Sequence, residues 1–139
     1  MAGNPTVVGA AAALDYFTGR ALKWASPQNV YLALLTSSVP DNVGLSSLPE
    51  VTTPGYARQQ VTWSAATLAR PSLTGNSAVV TFGPVTADMA SPATHVALVT
   101  AAVGTTGDVL YVWQLDTTQQ AVNGQALQIA VNKLTLSQN

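Results

Sequence analysis

The chain has 139 residues, 47% of them hydrophobic and only 8% charged, with a formal net charge of −1. That length suits one domain with a core of its own, and the charge is too sparse to hold nucleic acid or an anionic membrane surface. Cysteine is absent, which excludes disulfides and thiolate metal sites.

The polar surface must therefore be Thr, Ser, Gln and Asn, without the charge repulsion that keeps free proteins apart. Such a surface fits life inside an assembly or outside a cell, and equally a neutral soluble domain. No apolar run approaches the roughly 20 residues of a membrane span. The Ala10–Ala13 run has no basic stretch before it and is interrupted by Asp15, which argues against a signal peptide. No repeat or linker divides the sequence. One domain over 1–139 is expected, with a helical arm over 1–27 and a β-sandwich over 28–139.

Asn4-Pro5 predicts a helix start, Asn as cap and Pro at the first helical position. Val7, Ala11, Leu14, Phe17, Ala21 and Trp24 then recur at spacings of three and four, one stripe of a helix running to about Ala25. Gly19 inside it costs about 1 kcal/mol against Ala and permits either a close approach or an early break. So uncharged a helix must be held by what it packs on, either its own domain or a neighbour.

Val30–Thr36 reads as a strongly apolar strand. Asp41 to Pro54 is a long irregular segment, which suggests an intermolecular contact or a solvated connection. Gly55–Trp63 alternates with the period of a half-buried strand, Ala57, Val61 and Trp63 pointing one way. Arg70-Pro71 reads as a turn or an edge. Asn76–Phe82 reads as another strand, stopped by Gly83-Pro84. Val85 to Pro92 connects onward, with one helical turn near Ala87 to Ala90.

Ala93 to Thr117 is the centre of the pattern: two long strands joined by a Gly-rich turn. The second arm sets Val109, Tyr111, Trp113 and Leu115 on one face and Leu110 and Val112 on the other. A strand apolar on both faces needs cover on both, from another layer of the chain or from a neighbouring molecule. Asn123-Gly124 is a turn signal. Ala126 to Ser137 is the last strand, its phase changing at Asn132-Lys133 as at a bulge. One helix and about six or seven strands predict a mainly β chain, an antiparallel β-sandwich of jelly-roll type with an N-terminal α-helix.

Reaction chemistry is hard to find. His95 lies inside an apolar strand, and the six acidic residues are scattered singly. Paired carboxylates, a Gly-x-Ser-x-Gly elbow and a phosphate-cradling loop are missing. No cofactor or metal is expected. Tyr31, Tyr56, Tyr111, Trp63 and Trp113 could form a sugar-binding platform, but strand placement favours core or interface packing. Glu50 and Arg58 suggest a surface ion pair across the Pro54-Gly55 turn, worth about 0–1 kcal/mol. The candidate interface residues are Leu14, Phe17, Trp24, Glu50, Tyr56, Arg58, His95, Tyr111 and Trp113.

The order of segments resembles a family. Val30–Thr36 runs into Ser-x-Pro-Asp, and Glu50 precedes Pro54-Gly55-Tyr56-Ala57-Arg58-Gln59. Asn76-Ser77 leads to Val80-Thr81-Phe82 and Thr86-Ala87-Asp88. Thr94-His95-Val96 opens a strand ending in Ala101-Ala102, and Gly124 precedes the closing strand. Over almost the whole chain this succession is similar to the short virion proteins of tailed bacteriophages, tail fibre proteins and capsid decoration or head-fibre components among them. Met89-Ala90 departs from it, where a Trp or a Gly-rich turn is expected in many relatives. The resemblance implies a non-enzymatic virion protein that assembles as a trimer or another symmetric oligomer. Its partners would be copies of itself and the major capsid protein or tail proteins, not nucleic acid or membrane. Outer capsid decoration is the leading expectation, a minor tail or fibre protein at the tail tip the alternative, and a carbohydrate-binding module a further one.

Overall fold

The computed structural model describes residues 3–20, 29–69 and 72–138. Their chain order is β1 (Asn4–Pro5), α1 (Val7–Phe17), β2 (Tyr31–Leu35), a 3-10 turn (Leu45–Ser47), β3 (Gln59–Gln60), β4 (Ser72–Gly75), β5 (Val80–Phe82), β6 (Ala93–Val99), β7 (Val109–Gln119), β8 (Leu127–Ile129) and β9 (Thr135–Gln138). The class is the one the sequence predicts, mainly β with an N-terminal helix. A five-stranded antiparallel sheet, ordered β1-β7-β6-β2-β3, forms one layer of a sandwich-like body, and the ribbons β4-β9 and β5-β8 supply the other.

Period-two alternation divides the apolar residues of the sheet between two clusters. Leu32, Leu34, Val96, Leu98 and Trp113 point toward the ribbons, where they meet Val80, Phe82, Ile129 and Leu134. Ala33, Leu35, Ala97 and Val99 point the other way and are covered by Leu45, with Val39, Val43 and Leu48 around it. The segment from Asp41 to Pro54 thus packs back onto its own sheet, and the chain itself covers both faces of the central strands.

Several expectations change in detail. The register of β6 and β7 shifts between Leu98↔Tyr111 and Val99↔Val109. This irregularity turns Val109 into the second cluster, away from Trp113, because an extra residue reverses the alternation beyond it. Of the strand expected over Asn76–Phe82 only Val80–Phe82 forms a continuous strand, and of Gly55–Trp63 only Gln59–Gln60, while Trp63 and Asn76 meet in an isolated antiparallel bridge. Ala87 to Ala90 makes no helical turn, and Met89 is buried in the core. The closing strand divides at the expected point. Asn132 takes a left-handed φ of 59°, which passes β8 on the β5 ribbon to β9 on the β4 ribbon and brings Leu134 back into the core with Ile129.

Asn76 makes this crossing possible. It is fully buried, its amide nitrogen donates to the carbonyls of Ala78 and Ala130 at 2.9 Å each, and its oxygen accepts from Leu134 N–H at 3.0 Å. Three backbone groups that leave the ladders are satisfied by one side chain.

Candidate interface on the N-terminal helix

Helix α1 starts two residues later than Asn4-Pro5 suggests. Those two residues pair with Val112 and Tyr111 as β1, and Thr6 is the cap. The buried Thr6 side chain accepts from Gly9 N–H at 3.1 Å and donates to the carbonyls of Val109 and Leu110. One hydroxyl closes the first turn and fastens it to β7. The sequence signal was Thr6 itself, just before the first periodic residue.

The stop lies at Thr18-Gly19. Gly19 takes a φ of 70°, its N–H bonds the Tyr16 carbonyl at 3.3 Å, and Arg20 N–H bonds the Asp15 carbonyl at 3.0 Å. This is the glycine-terminated ending that satisfies the last carbonyls of a helix. The early break, one of the two roles open to Gly19, is the one it plays. Trp24 and Ala21 lie outside the described residues.

The face that meets the sheet is the small one. A Cβ on Gly9 would sit 2.3 Å from the Leu110 carbonyl oxygen, so the helix backbone rests directly on β7. No residue of α1 is buried. Val7, Ala10, Ala11, Leu14 and Phe17 lie on the opposite side and are exposed, Leu14 at 62% and Phe17 at 67%. The apolar stripe expected from the period therefore points away from the body. Tyr16 is also exposed and forms a T-shaped pair with Phe17, the ring centroids 5.9 Å apart. The Asp15–Arg20 pair at 3.3 Å supplies the charge near the helix end.

The remaining candidates lie on the β body, Trp113 buried and Glu50, Tyr56, Arg58, His95 and Tyr111 half-buried. Arg58 grips Glu50 with two bonds, Nε to Oε1 at 2.9 Å and Nη2 to Oε2 at 2.8 Å, and its Nη1 reaches the Ala101 carbonyl at 3.1 Å. The Tyr56 hydroxyl donates to Glu50 at 2.8 Å and accepts from Leu34 N–H at 2.9 Å. With side chains 7% and 19% exposed, Arg58 and Glu50 form a largely buried clamp in place of the expected surface pair. Hydrogen bonding to Glu50 holds the Arg58 guanidinium above its usual range. Burial, then the Glu50 charge, pushes the Tyr56 hydroxyl well above the usual phenol range.

Trp113 is fully enclosed, donates to the Thr135 carbonyl at 3.0 Å, and stacks between Trp63 and Tyr111 with ring centroids at 6.1 and 5.8 Å. Burial also raises the Tyr111 hydroxyl. Tyr31 packs on the second cluster, so each of these rings contributes to packing. His95 borders a cleft of about 240 Å³ with Asp41 and Gln114, its Nδ1 2.8 Å from the Thr94 hydroxyl. Among the described residues no three His or carboxylate groups cluster as metal ligands, and no helix is long and apolar enough to cross a membrane.

The molecule is thus a sandwich-like β body whose N-terminal helix turns an apolar stripe outward. Residues 6–137 match the family model described as Podophage GP4 fiber I protein gp80, and the chain belongs to that family. It is a short, fibre-like structural protein of the phage virion. No curated protein matches the chain.

Proposed function

We propose that this chain is a non-enzymatic fibre subunit of the virion, and that it joins the particle through the outward stripe of α1. One observation carries the reading: an 11-residue helix with no buried residue holds Leu14 and Phe17 in solvent. Helices shorter than about 12–15 residues are marginal in water unless a face is packed. Here the half-buried face is mostly small, Gly9, Ala12 and Ala13 with Val8, and the large side chains Leu14 and Phe17 are left uncovered.

The family description names a fibre, which supports a fibre over a shell. Outer capsid decoration is the second reading. It is favoured by the described residues closing around shared clusters instead of repeating along a shaft. A cement protein would stabilise by binding only the assembled shell.

The experiment is complementation of the phage with wild-type chain or Leu14→Asp, followed by quantitative mass spectrometry of purified particles and antibody labelling. Loss of the variant from particles is expected. A variant incorporated at the wild-type level overturns the role of α1. Roughly a dozen copies at the tail supports the fibre, whereas copies on the order of hundreds over the head support the shell.

A further inference from the structure

We propose that the cleft between β7 and the β5-β8 ribbon binds one neutral pyranose ring of a saccharide. The cleft measures about 240 Å³, and α1 takes no part in it.

It opens where β7 outruns the strand it pairs with. Ala93 faces Gln119 and His95 faces Gln114, so β6 spends one residue, Thr94, where β7 spends four, Leu115 to Thr118. The excess must leave the ladder, as it does at the bulges that gather beside functional sites. Leu115, Asp116 and Thr117 make one wall, and Leu127 and Gln128 of β8 make another. The floor is the core itself, at Leu34, Phe82 and Ile129. Ala130 and Lys133 close the end, and their turn is pinned. The Asn76 amide donates to the Ala130 carbonyl at 2.9 Å, and the Asn76 carbonyl accepts from Asn132 N–H at 3.0 Å. Lys133 N–H bonds the Ala130 carbonyl at 3.2 Å. A wall held by a fully buried side chain is in place before any ligand arrives.

The lining decides the class of ligand. The rim carries Asp116, Thr117, Gln119, Gln128 and Lys133, all exposed, over an apolar floor. One carboxylate and one ammonium leave the rim without net charge, which disfavours phosphate and other anions. Each Gln amide donates and accepts at once, as the hydroxyls of a sugar do. Leu115 and Leu127, both half-buried, give the C–H face of the ring an aliphatic seat. An acyl chain would cover the polar rim without returning its hydrogen bonds. About 240 Å³ falls below the roughly 300–1,000 Å³ of drug-sized sites, which limits the occupant to one ring. Because the rim is exposed, that ring can belong to a longer chain. Phe82 is only 1% exposed, so no aromatic face lies open for stacking. Affinity for a single ring is therefore weak, and copies held together in a particle add their contacts.

The test is an amide NMR titration of the full chain. The probes are the methyl glycosides of glucose, galactose, mannose and N-acetylglucosamine and their disaccharides, each raised to about 50 mM to reach millimolar binding. At least one is expected to shift the amides of residues 115–119 and 127–133 and to leave those of α1 and β3 unmoved. Asp116→Ala and Gln119→Ala are expected to weaken that sugar about tenfold each, with the rest of the spectrum native. Gln59→Ala on β3, the opposite edge of the sheet, is expected to bind as wild type. The absence of a shift with every sugar overturns the proposal. So do shifts centred on another surface, binding that survives both variants, and a preference for inorganic phosphate over every sugar. Leu14→Asp is expected to bind the sugar as wild type whether or not it enters particles, so failure of the cleft and failure of the attachment reading are distinguishable.

Discussion

Removing Arg58 tests whether the Glu50–Arg58–Tyr56 clamp holds the fold. Arg58→Met keeps the apolar stem and deletes the two donors to Glu50 and the one to Ala101, leaving the Glu50 carboxylate only the Tyr56 hydroxyl. A surface pair would cost about 0–1 kcal/mol. This pair is largely buried, and breaking a buried pair from one side costs about 3–5 kcal/mol because the remaining charge keeps its desolvation penalty. For 139 residues the unfolding entropy is about 0.3 kcal/mol per degree, so the melting temperature should fall by roughly 10–17 °C. Glu50→Gln should cost a similar amount by stranding the guanidinium. The double variant should cost less than the two singles summed, by about 2 kcal/mol, since neither charge then lacks its partner. Urea unfolding followed by circular dichroism on all four chains reads these values. Single losses below about 1 kcal/mol, or strict additivity, would refute the clamp.

Three further outcomes follow from the same geometry. Asn76→Ala should cost roughly 2–4 kcal/mol, because the carbonyls of Ala78 and Ala130 and the amide of Leu134 lose their partner together; denaturant unfolding and faster hydrogen exchange at Leu134 measure it. Gly9→Ala raises helix propensity by about 1 kcal/mol, yet its methyl meets the Leu110 carbonyl, so a net loss of about 1–3 kcal/mol is expected and a gain in melting temperature would contradict the seating of α1. Burial and Glu50 raise the Tyr56 hydroxyl above its usual 10.0, so its contribution is full below about pH 10 and declines above it as the unfolded chain ionises first, by about 1.4 kcal/mol per pH unit. Tyr56→Phe should flatten that alkaline decline by the same slope, leaving the part due to Tyr111, as read from urea midpoints between about pH 10 and 11.

What was legible in the sequence follows from how locally each feature is encoded. The strands β2, β6 and β7 stand out because runs of Val, Leu, Ala and aromatics carry both their extended shape and their burial. The break at Asn132 was legible because Leu127 and Ile129 fall out of phase with Leu134 and Leu136. Asn76 was not, since it reads only as the first residue of the strand expected over Asn76–Phe82, and its value comes from groups 54 and 58 residues away. The clamp was half legible: the pairing of Glu50 with Arg58 could be read across Pro54-Gly55, but its burial depends on Ala101 and Leu34, which only the folded sheet brings near. Val109 went to the wrong face because a register shift leaves no mark on the alternation itself.

The helix shows the same limit in its sharpest form, and it relocates the case for assembly. Periodicity says which residues share a face; it does not say which way the face looks. The central strands are apolar on both sides, which by itself asks for cover, and Leu45 with its neighbours supplies that cover from within. The sheet therefore gives no reason to expect a partner. On α1 the order is reversed: the Thr6 hydroxyl and the bare backbone at Gly9 fix the small face against β7, so Leu14 and Phe17 have nowhere to go but outward. Turning them inward would require a side chain where Gly9 meets the Leu110 carbonyl, a space the strand backbone already fills. The same contact that anchors the helix thus presents its apolar edge, and loss of that contact should weaken the fold and the assembly together.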